Sequence, residues 1–117
     1  MIRKTFQDLS LPALGMGCMR LPVRDGRSDD IDEEAVARMA DYAMEHGVNY
    51  FDTAWFYHDR LSEPAMGRVL QRYPRESFFL ATKFPGLDPK LMQDPAALFE
   101  KQLENLRTDY FDFYLVH

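Results

Sequence analysis

Four short runs of mostly apolar residues recur along this chain, separated by stretches with helical periodicity. The runs are Leu14-Gly15-Met16-Gly17-Cys18, Val48-Asn49-Tyr50-Phe51, Phe78-Phe79-Leu80-Ala81-Thr82 and Phe111-Asp112-Phe113-Tyr114-Leu115-Val116. Asp52 closes the second, Lys83 the third and His117 the fourth; Tyr57 follows Asp52 by five residues. Each strand with its helix takes up ~30 residues, and the period changes from strand-like to helix-like within each unit. Strands this continuous in apolar residues suit parallel strands covered on both faces. Crossovers between such strands are right-handed.

The helices between them carry their own punctuation. Asp32 reads as an N-cap, with Glu33 and Glu34 at the positive end of the helix dipole. Val36, Met39, Ala40 and Ala43 share a face of that helix, and Gly47 reads as its C-cap. Ser62 is expected to cap a second helix whose first turn tolerates Pro64, with Met66, Val69, Leu70 and Tyr73 on its apolar face. Asp94 followed by Pro95 starts a third, with Phe99, Leu103 and Leu106 facing inward. Lys4 to Leu11 is compatible with a short hairpin ahead of the first parallel strand, and Pro22 to Asp30 is a polar loop.

The order β-α-β-α-β-α-β, with polar groups at the C-terminal strand ends, is the pattern of a (β/α) barrel, whose reactive face lies at those ends. An eight-stranded barrel takes roughly 250 residues. With 117 residues, the chain is either a small α/β domain or part of a barrel. Its net charge of −5 and lack of any basic run longer than two residues argue against nucleic-acid or anionic-membrane partners. A single cysteine, Cys18, leaves no internal disulfide and no cysteine-only metal site, and fits a reducing compartment. No run reaches the ~18 apolar residues of a membrane helix. The first residues lack the apolar core of a secretion signal, so a cytoplasmic location is expected.

The strand-end residues make a coherent chemical set. Tyrosine is a weak acid, with an ordinary pKa of about 10. A nearby ammonium favours tyrosinate and lowers that value. A carboxylate beside the lysine keeps the ammonium charged and in place, and an imidazole orients a carbonyl or relays a proton. Tyr57, Lys83, Asp52 and His117 thus suit protonation of a carbonyl oxygen while a hydride reaches the carbon. No side chain donates hydride, so a nicotinamide or a flavin is implied.

Three stretches resemble the aldo-keto reductases. Gly47-Val-Asn-Tyr-Phe-Asp52-Thr-Ala-Trp-Phe-Tyr57 is similar to that family's signature, Thr82-Lys83 follows an apolar strand as in the family, and Leu103 to His117 resembles the stretch ending in its histidine. The resemblance runs from about Leu14 onward and implies an NADPH-dependent carbonyl reductase on a (β/α)8 barrel. NADH remains a second possibility, because the residues that read the cofactor phosphate lie in the second half of such a barrel. The resemblance implies Tyr57 as general acid, Lys83 as its pKa-lowering partner, Asp52 as the carboxylate paired with that lysine, and His117 as the residue orienting the carbonyl. It also sets Gly17, Cys18, Met19 and Arg20, with Asp52, near the nicotinamide end of the cofactor.

The expected architecture is therefore the N-terminal half of a (β/α)8 barrel over residues 1–117: four parallel strands, three intervening helices and an N-terminal hairpin. The stretches around Gly15 to Pro22 and Tyr57 to Pro64 most resemble a bacterial and archaeal subgroup that often appends a ferredoxin-like iron–sulfur domain. Cluster ligands would have to come from beyond these residues. A half-barrel by itself is expected to bind NADPH weakly or not at all and to expose a strand edge that invites self-association. The alternatives to a reductase acting on a small carbonyl are a catalytically silent fragment and a non-catalytic binding or regulatory module.

Other residues have plainer readings. Cys18 suits a small buried position. His46 suits a helix C-terminus, and His58 the mouth of a pocket. Trp55 and Phe56 either wall a substrate pocket or pack within their loop. No spacing among the histidines and Cys18 reads as a metal site.

Overall fold

The computed structural model describes all of residues 1–117. The first two strands, β1 (Arg3–Phe6) and β2 (Leu9–Pro12), form the expected hairpin, closed by a tight turn with Gln7 at positive φ. Four further strands make one parallel sheet: β3 (Met16–Gly17), β4 (Tyr50–Asp52), β5 (Phe79–Phe84) and β6 (Phe113–Val116), neighbouring one another in chain order. The crossovers carry α1 (Glu33–Glu45), α3 (Ser62–Leu70) and α4 (Pro95–Leu106). A single irregular turn, α2 (Tyr57–Arg60), precedes α3.

The strands keep their expected places but shift their ends. β3 pairs over two residues only, so Leu14 and Gly15 lie outside the ladder. β4 begins at Tyr50; Asn49, just before it, already bonds the start of β5. Its backbone oxygen accepts from Phe79 N at 2.8 Å, and its side chain donates to Ser77 O at 3.0 Å. β5 runs on through Phe84 because Lys83 and Phe84 still pair with Leu115 and Val116 of β6.

Side chains alternate across the sheet. Phe51 and Leu80 join Val36, Ala40, Met66, Val69, Leu70 and Leu106 in the core between sheet and helices. On the other face, Tyr50 and Phe113 meet with ring centroids 5.6 Å apart, and Phe6 of the hairpin meets Phe113 at a tilt, 5.9 Å away. Arg3 reaches Asn49 and the carbonyl of Gly47. The hairpin therefore sits at the N-terminal ends of the parallel strands, away from Lys83.

Two caps form as local chemistry dictates. Asp32 accepts from Ala35 N at 3.1 Å, and Asp94 accepts from Ala97 N at 3.0 Å with Pro95 behind it. Ser62 does not cap α3. It is already helical and wholly buried, and its hydroxyl bonds Thr53 Oγ1 at 2.8 Å and the Cys18 carbonyl at 3.2 Å.

Two inward faces also differ from the expected ones. Met39 of α1 is 43% exposed, leaving Val36 and Ala40 as the buried contacts. α4 buries Leu98, Gln102 and Leu106, while Phe99 turns aside to meet Phe111 and Tyr114 edge-on. α3 presents Gly67 at its crossing with α4. A Cβ there would stand 2.3 Å from the carbonyl oxygen of Asn105, so the backbones touch where no side chain fits. No helix is long and apolar enough to cross a membrane.

Candidate active site

The parallel register decides which polar residues meet. Asp52, the last residue of β4, lies opposite Ala81 of β5. Lys83, two residues further along β5, projects from the same face and reaches back diagonally. Its ammonium donates to Asp52 Oδ1 at 2.7 Å and to the Thr53 carbonyl at 2.7 Å. Only 9% of Lys83 is exposed. Burial by itself lowers its pKa, but the bond to Asp52 and the nearness of Tyr57 outweigh that, and the ammonium is held above the ordinary lysine value.

Tyr57 and His117 complete the cluster. The Lys83 ammonium lies 4.8 Å from the centre of the Tyr57 ring. The His117 ring meets Tyr57 edge-on at 6.0 Å. His117 is anchored by its backbone N–H, which donates to the Phe84 carbonyl at 2.9 Å. Its Nδ1 is buried and has no protein partner. The four residues singled out from the sequence thus converge at the C-terminal ends of β4, β5 and β6.

The neighbouring residues fall into different places. Phe56 is 38% exposed, its ring 6.5 Å from that of His117. Trp55 is buried, with the Arg60 guanidinium 4.5 Å over its ring, so it packs within the loop. Gly17, Met19 and Arg20 are exposed, and an added Cβ at Gly17 would meet nothing within 4 Å. Cys18 is wholly buried, and its backbone is committed: its N–H donates to the Asp52 carbonyl at 2.8 Å. Burial and then the Asp52 charge push its thiol up to about 12. Its side chain therefore reaches no ligand, and that segment offers Gly17, Met19 and Arg20. The open backbone at Gly17, which pairs with Asp52 in the sheet, leaves room for a ligand at these strand ends. No group of three metal-binding side chains exists in the structure.

Two polar features were not legible as parts of the site. His58, expected at a pocket mouth, is instead buried. Glu63 is also buried, on the helix side of the sheet. It accepts from Thr82 Oγ1 at 2.7 Å, Gln102 Nε2 at 2.8 Å and Asn105 Nδ2 at 3.3 Å. Gln102 also donates to the Lys83 carbonyl at 2.9 Å, so this network braces the strand that carries Lys83. Burial raises the Glu63 pKa, and the three hydrogen bonds pull it partly back. The available signal was a glutamine at the centre of an otherwise apolar helix stripe, Leu98, Gln102, Leu106. The largest surface groove, about 640 Å³ between α1 and β3, contains none of the four clustered residues.

Residues 13–117 match the model of the Aldo/keto reductase family. A probable aldo-keto reductase 1 from Glycine max is 32% identical, over 95% of this chain and 34% of the relative. The aldehyde reductase YPR1 of Saccharomyces cerevisiae is 33% identical, over 92% of this chain and 30% of its own. Among solved structures, an aldo-keto reductase from Klebsiella pneumoniae in complex with NADPH superposes with a TM-score of 0.71 at 27% identity, covering 100% of this chain and 40% of that one. The chain thus spans about a third of the length of the curated relatives it matches. Its fold is the N-terminal half of a (β/α)8 barrel.

Proposed function

The chain belongs to the aldo/keto reductase family, and on that premise we propose that the complete protein reduces an aldehyde or ketone to an alcohol, with Tyr57 as the proton donor. The observation that carries this reading is the Lys83 ammonium, bonded to both Asp52 and the Thr53 carbonyl and lying 4.8 Å from the Tyr57 ring. An ammonium so placed stabilises tyrosinate, the species left when the phenol gives up its proton.

Each residue then has one task. The Tyr57 hydroxyl donates its proton to the carbonyl oxygen as that oxygen gains charge. Lys83 stabilises the resulting tyrosinate until solvent returns a proton. Asp52 holds Lys83 in place and charged. His117, its ring edge-on to that of Tyr57, orients the carbonyl. Gly17, Met19, Arg20 and Asp52 would hold the nicotinamide end of the cofactor, and Phe56 would wall the pocket. A nicotinamide cofactor, when bound, supplies the hydride. NADPH is the proposed form, in keeping with the Klebsiella pneumoniae complex; NADH is the alternative that paired titrations separate.

The small-carbonyl substrate class is in keeping with the yeast relative's name, an aldehyde reductase. A reducing compartment such as the cytoplasm suits the single buried thiol. An iron–sulfur cluster would need ligands from outside these residues. The second reading is a barrel module that binds or regulates without catalysis.

The test is cofactor oxidation by the complete protein with a panel of small aldehydes and ketones. Tyr57→Phe is expected to abolish most carbonyl reduction. Full retained activity would remove Tyr57 from the mechanism, and no turnover by the native protein would favour the second reading.

A further inference from the structure

Three consecutive non-glycine residues after Tyr57 adopt the left-handed conformation: His58 at φ 54°, Asp59 at 52° and Arg60 at 71°. Each pays a steric cost, because its Cβ crowds the following carbonyl. Such a run persists only where the surroundings over-determine it. The side chain that does so here is His58, which is 7% exposed. Its Nε2 accepts from the backbone N–H of Leu21 at 2.9 Å, and its Nδ1 lies 2.7 Å from the Ser28 carbonyl.

The partners dictate the proton's position. An amide N–H can only donate, so Nε2 is bare. A carbonyl can only accept, so Nδ1 carries the hydrogen. One neutral tautomer satisfies both bonds.

The two partners belong to the segment that links β3 to α1. Leu21 follows Met19 and Arg20 directly, and Ser28 lies within the loop closed by the Val23–Ile31 bridge. One imidazole therefore ties the turn carrying Tyr57 to the segment that would face the cofactor. We propose that His58 is a positioning residue, which sets where Tyr57 stands relative to the Gly17–Arg20 segment without itself touching substrate or cofactor. This rests on the roles given above to Tyr57 and to that segment.

The competing account is a buried histidine that merely stabilises a loop. Three variants of the complete protein separate the two. In His58→Gln the amide oxygen takes the place of Nε2 and keeps the Leu21 bond. In His58→Asn the amide nitrogen takes the place of Nδ1 and keeps only the Ser28 bond. His58→Phe keeps neither.

The measurements are melting temperature, hydrogen exchange at the Leu21 amide, NADPH affinity by fluorescence titration, and kcat of the folded protein. His58→Gln is expected to bind NADPH within about 3-fold of the native protein, because the Leu21 bond survives. His58→Asn and His58→Phe are expected to weaken it by about 10-fold, with faster exchange at Leu21, as loss of one buried hydrogen bond implies. If His58→Phe does not fold, the Gln and Asn pair carries the comparison.

The proposal is overturned if His58→Asn lowers the melting temperature while NADPH affinity and kcat stay native. Nitrogen NMR finding the proton on Nε2 would also overturn it. Tyr57→Phe serves as the control. An inactive Tyr57→Phe with native-like Asn and Phe variants at position 58 refutes only the positioning role. A fully active Tyr57→Phe refutes the mechanism on which that role rests.

Discussion

Lys83 Nζ lies 2.7 Å from Asp52 Oδ1, across two neighbouring parallel strands and two residues out of register. The diagonal reach leaves the ammonium under the Tyr57 ring rather than in solvent. Asp52 is one-third exposed and Lys83 nearly buried, so the pair sits between a surface salt bridge and a buried one.

Asp52→Asn should therefore cost stability out of proportion to its size. It leaves a desolvated ammonium with the Thr53 carbonyl as its remaining strong partner. A loss of about 1–3 kcal/mol is expected, below the full cost of breaking a buried pair because water still reaches Asp52. Urea unfolding checks it, and a loss under a few tenths of a kcal/mol would mean the pair is effectively solvated.

The same pair predicts a pH dependence. Lys83 is held protonated in the fold beyond the ordinary lysine value of 10.5. A raised folded pKa contributes stability that is fully present below the unfolded value and is lost as pH rises through the folded one. The difference in urea midpoint between the native protein and Lys83→Met should stay constant up to about pH 10 and shrink above it. A gap that instead closes near neutral pH would contradict the raised value.

Cys18 should be chemically silent in the native protein. Burial pushes its thiol up to about 12, and no thiolate is offered to a reagent. At pH 8, labelling by an aromatic disulfide is expected to be at least ~100-fold slower in the folded protein than in denaturant. Equal rates in both states would show that the β3 end opens freely.

Gly67→Ala tests the α3–α4 crossing. The new methyl would stand 2.3 Å from the Asn105 carbonyl oxygen, which belongs to backbone and cannot rotate away. A destabilisation of about 1–3 kcal/mol is expected, as for other overpacked sites. An unchanged melting temperature would mean that the two helices separate at little cost.

Much of the site was readable because it depends on where strands end. Asp52, Lys83 and His117 close apolar runs in the sequence, and parallel pairing brings the ends of adjacent strands to one side of the sheet. Shifts of one or two residues at strand ends did not disturb this. The caps at Asp32 and Asp94 were equally legible, since each involves a side chain and an amide three residues away.

The unread features all depend on contacts between segments distant in sequence. Ser62 has the chemistry of a cap, but it is buried against Thr53 and Cys18 and spends its hydroxyl there. Phe99 and Leu103 are more apolar than Gln102, yet α4 turns Gln102 inward because Glu63 and the Lys83 carbonyl wait for its amide. His58 lies beside Tyr57 in the chain, but its two partners are 37 and 30 residues away. The order of elements, the hairpin, two of the caps and the four clustered residues were determined by the sequence alone, because periodicity and strand ends are local properties. Which polar groups are buried, and what each one holds, was decided only by tertiary packing, because a hydrogen bond inside a core depends on the partner that the fold brings to it.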